Sequence, residues 1–157
     1  MKLLLMAVGR TSIDFVRRGI DEYLNRLQHY LSVDVKIIPD VKRTASLTEA
    51  KQKDMEGAAI LAAVQPSDRV ILLDERGKEY SSEEFAAFME KQMLSGAKRL
   101  VFVVGGPYGF SPEVYSRADG KLSLSRMTFN HEMVRLFFVE QLYRSQTILR
   151  GEPYHHS

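Results

Sequence analysis

Three segments of this chain carry residue types able to bind or transform a ligand, and all lie in its last third. Val101 to Phe110 reads VFVVGGPYGF, an apolar run entering a glycine-rich turn; Leu122 to Arg135 reads LSLSRMTFNHEMVR; Arg150 to His156 reads RGEPYHH. Without a Cβ, Gly105, Gly106 and Gly109 let backbone amides approach a ligand closely or take positive φ, and Pro107 stiffens the turn between them. Their spacing is neither GxGxxG nor that of a P-loop, so dinucleotide and phosphate-loop chemistry lose their usual support. Taken alone, the turn suits a structural role as well as a ligand loop.

The second segment offers titratable and cationic groups. Asn130 is a favoured N-cap, and amides of a helix opening there point toward a carboxylate or a developing anion. Met127 and Phe129 suit either the core or the wall of an adenine-sized slot. HEMVR falls one letter short of the zinc-binding HExxH, and the histidines are only His29, His131, His155 and His156, with no cysteine, so no ligand set stands at metal spacing. His131 and Arg135, four apart, share a face if both are helical. A guanidinium in a first turn opposes the helix dipole and calls for a partner: a carboxylate, an anionic substrate or RNA phosphate. Arg144, nine residues further, lies half a turn away and cannot serve the same site from the same face. Glu140 and Arg144 also have the favourable order for a surface ion pair. Gly151 and Pro153 stop the helix, and the tail from Tyr154 is predicted to fray. No GxSxG elbow or thiol is present for acyl transfer.

The elements that must position these residues alternate. Lys2 to Val8 reads as a buried strand, followed by a helix capped by Thr11 or Ser12 with apolar positions Ile13, Val16, Ile20, Leu24 and Leu27. Val33 to Ile38 is a second strand; Ser46 with Glu49 forms a capping box for a helix through about Val64. Arg69 to Asp74 is a third strand turned by Gly77, and Ser81 with Glu84 opens the next helix, C-capped by Gly96. Leu100 to Val104, apolar throughout, suits a strand buried on both faces of a parallel sheet. Ser111 and Pro112 start a short helix, Lys121 to Ser125 is a fifth strand, and His131 to Arg150 a closing helix. This order predicts a single α/β domain over residues 1–157: three layers around a mostly parallel sheet, with ligands beyond the carboxyl ends of the strands.

Composition narrows the classes. At 157 residues, 45% hydrophobic and 27% charged, the chain can bury one sizeable core and is neither disordered nor membrane-spanning. Without cysteine it has no disulfide framework, which agrees with a cytoplasmic setting. A formal charge of +2 does not announce nucleic acid, although Lys36, Lys42, Arg43, Lys51 and Lys53 form a local excess that can face phosphate or simply solvent.

Together, Gly105-Gly106-Pro107-Tyr108-Gly109, Leu124-Ser125-Arg126-Met127-Thr128-Phe129, His131, Val134-Arg135, Glu140-Gln141-Leu142-Tyr143-Arg144 and the Tyr154-His155 ending resemble the ribosomal RNA large subunit methyltransferase H family of the SPOUT superfamily. The likeness runs nearly end to end, including the opening MKLLLMAVG. It implies an α/β domain with a C-terminal trefoil knot, which topology rules alone would reject. It further implies a homodimer that transfers a methyl group from S-adenosylmethionine to N3 of a pseudouridine in helix 69 of 23S rRNA on assembled ribosomes, with neither metal nor membrane.

By the same resemblance, Leu73, Gly105, Leu124, Ser125, Arg126, Met127, Thr128 and Phe129 wrap the cofactor. His131, Arg135, Tyr154 and His155 are the catalytic candidates, and Tyr143 and Arg144 contact RNA. On this view Arg135 stabilises developing negative charge on the base while His155 or Tyr154 handles its proton. A tail of about six residues, extended, reaches roughly 20 Å, enough to enter a neighbouring subunit's pocket. Asn130 stands where the family usually has proline, and His156-Ser157 replaces the usual basic end. A non-catalytic ribosome-associated RNA-binding protein of the same fold is the alternative, against which the intact cofactor segments speak; a flavodoxin-like switch lacks its phosphate loop.

Overall fold

The computed structural model describes residues 1–42 and 44–156. Arg43 of the basic stretch and the terminal Ser157 lie outside the described residues. The described residues form five strands: β1 (Lys2–Val8), β2 (Val33–Ile38), β3 (Arg69–Glu79), β4 (Arg99–Val104) and β5 (Gly120–Ser123). Alternating with them are α1 (Asp14–Leu27), α2 (Glu49–Ala63), α3 (Ser82–Leu94), α4 (Pro112–Arg117) and α5 (Met133–Leu149). All strand pairings are parallel, in the order β2-β1-β4-β3-β5.

The period of two along each strand sorts the core into two halves. Leu3, Leu5 and Ala7 of β1, Leu100 and Phe102 of β4 and Ile71 of β3 face α1, α3 and α5. The alternate residues Leu4, Met6, Val70, Leu72, Val101 and Val103 face the side covered by α2 and α4. That is the expected three-layer arrangement. Phe138 anchors α5 onto the sheet, its ring 4.7 Å from that of Phe102 and 6.0 Å from that of Phe85. At the amino ends of the strands, Arg99 pairs with the buried Asp68, and Arg117 donates to the carbonyls of Gln65 and Asp68.

Several boundaries differ from expectation for identifiable reasons. The N-cap of α2 is Thr48, whose hydroxyl accepts from the Lys51 amide, rather than Ser46. Gly77 does not turn β3; the strand continues through it beside β5, where a Cβ would come within 2.5 Å of the Leu122 amide nitrogen. Close approach of two backbones, not turn geometry, requires the glycine there. β5 ends at Ser123, two residues early, and α5 begins at Met133 rather than His131. Ser81 and Ser111 cap α3 and α4 as their sequences indicate.

Candidate functional site

A cleft of about 830 Å³ opens at the carboxyl ends of β4, β3 and β5, neighbours in the sheet. Its walls are the middle of β3 from Leu73 to Arg76, the loop from Gly105 to Phe110, and the segment from Leu122 to Val134 apart from Arg126, Glu132 and Met133. Lys53 of α2 adds a cation at the rim.

The glycine loop is a tight turn. Gly109 donates its N–H to the Gly106 carbonyl at 3.2 Å, with Pro107 at the second position, where its fixed φ belongs. Gly109 has φ +83, and a Cβ on Gly105 would lie 2.9 Å from the Phe110 ring. Both positions therefore need glycine, one for its dihedral and one for space.

The loop leaving β5 is shaped by short side chains. Ser123 donates to the Ser125 carbonyl at 2.9 Å, and the Ser125 hydroxyl accepts from the Met127 amide at 3.0 Å. Asn130 accepts from the Glu132 amide at 2.9 Å, so it turns the chain into α5 from just outside the helix. Phe129 packs on Phe137 with centroids 5.0 Å apart, and Met127 stands out as an exposed lip.

Of the sequence-derived cofactor residues, Leu73, Gly105, Leu124, Ser125, Met127, Thr128 and Phe129 line the cleft. Arg126 does not; its side chain points to solvent, 3.9 Å from Glu79. His131 also lines the cleft. Because it precedes α5, it shares no helical face with Arg135.

Arg135 is the clearest correction. It is 2% exposed, and its guanidinium donates to the carbonyls of Val8 and Gly9, each at 2.7 Å, and to the Thr11 hydroxyl at 3.0 Å. The partner demanded by a cation in a first turn is thus the backbone at the end of β1, not a substrate anion. Burial lowers its pKa. Glu132 completes this strap: its carboxylate accepts from the Ser12 and Ile13 amides at 2.7 and 2.9 Å and from the Ser12 hydroxyl at 2.7 Å. A residue from the far end of the chain therefore holds the Ser12–Ile13 entry to α1, whose N-cap is Ile13, with no side-chain cap from Thr11 or Ser12. Burial opposes its charge, but the hydrogen bonds from Ile13 and Ser12 outweigh it and hold the pKa below the usual glutamate value. Sequence spacing gave no sign of this role, since the two partners lie 120 positions apart.

The remaining candidates gather elsewhere. Arg144 pairs with Glu140 and contacts His155 Nδ1 at 3.0 Å, with its guanidinium 4.8 Å from the Tyr154 ring. Tyr154 donates to Glu140 at 2.9 Å and meets the Tyr23 hydroxyl at 3.2 Å; His155 Nε2 lies 2.9 Å from Glu83. The Tyr143 ring sits between those of Tyr23, Tyr30 and Tyr154. The tail neither frays nor extends; it folds back on α1, α3 and α5 of its own chain. Burial first, then Tyr23 and Glu140, raise the Tyr154 pKa, so in this arrangement the phenol is a donor and not a base. From Val134 to Arg144 is ten residues, about 15 Å along the helix, and none of this cluster lines the cleft.

Asp74 and Tyr115 line the cleft but escaped sequence reasoning, because a lone carboxylate and a phenol 41 residues apart carry no motif. The cleft's volume, glycine turn and apolar walls from Leu73, Leu122 and Phe129 fit a nucleoside-sized ligand. Among the described residues no cluster suited to a metal ion occurs, and no helix is long and apolar enough to cross a membrane.

Comparison with known proteins gives a consistent result. A family model described as "Predicted SPOUT methyltransferase" matches residues 1–155. Proteins named "Ribosomal RNA large subunit methyltransferase H" from Porphyromonas gingivalis, Christiangramia forsetii and Parabacteroides distasonis are 55%, 56% and 53% identical to this chain. Each alignment covers 99% of both sequences.

Proposed function

From the premise that this chain belongs to the SPOUT methyltransferase family, we propose that it is an S-adenosylmethionine-dependent ribosomal RNA methyltransferase acting on N3 of a pseudouridine in helix 69 of 23S rRNA. The relatives' names supply the substrate class. The observation that carries the reading is the meeting of Leu73, the glycine turn and the Leu124 to Phe129 segment in one cleft at the carboxyl ends of three adjacent strands.

When bound, S-adenosylmethionine supplies an electrophilic methyl carbon on a sulfonium. Leu73, Leu122, Leu124 and Phe129, which line the cleft, would hold the cofactor and exclude water from it, and the glycine turn would let backbone groups approach it. N3 of a pseudouridine carries an imide proton that would have to leave as the nitrogen takes the methyl group, so the protein would need a proton acceptor beside N3. His131, whose imidazole lines the cleft, would receive that proton. Arg144, Tyr154 and His155 are gathered too far along α5 to meet the same substrate within one chain. In a homodimer they serve the neighbouring cleft, with Tyr143 and Arg144 on the RNA, once the tail leaves its resting contacts. The trefoil threading and a cytoplasmic, ribosome-bound setting belong to the same proposal.

Calorimetry with S-adenosylmethionine, followed by methyl transfer to intact ribosomes and to free rRNA, tests it. Binding and transfer to ribosomes are expected. Binding without transfer to either substrate leaves an RNA-binding protein of the same fold, and absence of binding removes the methyltransferase reading. Mixing His131→Ala with His155→Ala chains should restore transfer that neither variant shows alone; no restoration defeats the shared site.

A further inference from the structure

Asp74 follows Leu73 directly where the buried part of β3 ends, and it lines the cleft. Its carboxylate is fixed from two sides: the Tyr115 hydroxyl donates to Oδ2, and the Arg76 amide donates to Oδ1 at 2.8 Å. An ionised carboxylate offers about four acceptor positions, so two donors leave roughly half of them available. Among the described residues no ion pair occupies Asp74. Tyr115 is itself held, edge-on to Phe110 with centroids 5.8 Å apart and with the Lys121 ammonium 5.6 Å from its ring. Burial and then Asp74 push the Tyr115 phenol up to about 12, so it stays a donor throughout the neutral range. The adjacent Glu75 also borders the cleft but is exposed. An acceptor oriented before the ligand arrives loses little freedom on binding.

We propose that Asp74, oriented by Tyr115, is the cleft's acceptor for a hydrogen-bond donor of the methyl-donor molecule, either a ribose hydroxyl or the α-ammonium. The inference rests on the methyltransferase reading above. Both donors suit a carboxylate, which can take two hydroxyls of a diol or pair with an ammonium.

Calorimetry on the full chain with three probes separates the sources: S-adenosylmethionine, S-adenosylhomocysteine, and 5′-methylthioadenosine, which keeps the ribose but lacks the amino acid. Asp74→Asn should weaken binding roughly tenfold or more, because hydrogen bonds to charged groups are the strong ones. Tyr115→Phe should weaken the same probes about threefold, since the carboxylate stays but loses one of its two orienting donors. Loss with all three probes assigns the ribose; loss with the first two alone assigns the ammonium. If Asp74→Asn binds all three within twofold of wild type, or loses only S-adenosylmethionine, the proposal is overturned. Should Asp74→Asn fail to melt cooperatively, Tyr115→Phe decides by the same pattern at smaller amplitude, and unchanged binding there overturns it. Wild type that binds none of the probes defeats the methyltransferase reading itself, whereas wild-type binding with unchanged variants removes only the role of Asp74.

Discussion

At its N-terminal end α5 borders an open cleft, where loops present glycine backbone, an imidazole and a carboxylate to whatever enters. Toward its C-terminal end the same helix is covered by a tail whose phenol, imidazole and neighbouring guanidinium already bond to one another or to adjacent carboxylates. The first region takes much of its support from outside the cleft, where Glu132 and Arg135 strap the β1–α1 connection to the start of α5, while Pro107 and Asn130 set the loops of its walls. The second spends its functional groups on holding its own shape. A preformed site and a latched one can therefore share a helix, and substitutions should separate them.

The largest effect is expected from the strap. Arg135→Met keeps much of the volume but leaves the Val8 and Gly9 carbonyls without their donor, and should cost about 3 kcal/mol in urea denaturation. Such a loss of stability, with any fall in methylation following from it, separates support of the cleft from chemistry inside it. Normal stability with abolished transfer would return Arg135 to the chemistry.

Next comes the cleft itself. Gly105→Ala places a Cβ 2.9 Å from the Phe110 ring. The ring must shift, at a cost of roughly 1–2 kcal/mol, while affinity for S-adenosylmethionine should fall about tenfold because the loop moves with it. Unchanged affinity in calorimetry would show that the glycine serves the turn alone.

Sequence patterns made the strands and the starts of α3 and α4 legible because periodicity and caps are local: Ser81 and Ser111 each sit within three residues of the amide they cap. The Leu124 to Phe129 segment stood out through the family resemblance, and all of it but Arg126 lines the cleft. What escaped was long-range. Nothing near Glu132 in the sequence indicates that it holds the entry to α1, and the partner that Arg135 called for was missed because its acceptors, Val8 and Gly9, are backbone carbonyls with no residue signature. Asp74 and Tyr115 meet only because β3 and α4 reach the same end of the sheet.

The strap should also respond to acid. The folded-state pKa of Glu132 is depressed, so its contribution is complete above the unfolded value of about 4.3 and is lost as pH falls through the folded value. Glu132→Gln should lower stability by about 2 kcal/mol at pH 7 and flatten the decline below pH about 4.5, leaving the part due to Asp68, whose pKa Arg99 and the Gln65 amide hold down against burial. Parallel curves for wild type and variant, measured by denaturation from pH 7 to about 3, would mean that the Glu132 carboxylate contributes no proton-linked stability.

The smallest change in stability should come from the latch, and it is the most direct way to sharpen the contrast between the two ends of α5. Tyr154→Phe deletes one hydroxyl that donates to Glu140 and meets Tyr23, both in part-buried contacts, so the expected cost is about 1 kcal/mol. The phenol does not line the cleft, so affinity for S-adenosylmethionine should stay within about twofold. Methyl transfer to ribosomes should nevertheless fall if, as proposed, the tail delivers that hydroxyl to the neighbouring subunit's substrate. Unchanged transfer would make the tail only a clasp on its own chain, while a loss of cofactor affinity would mean that the two ends of α5 are coupled within one subunit.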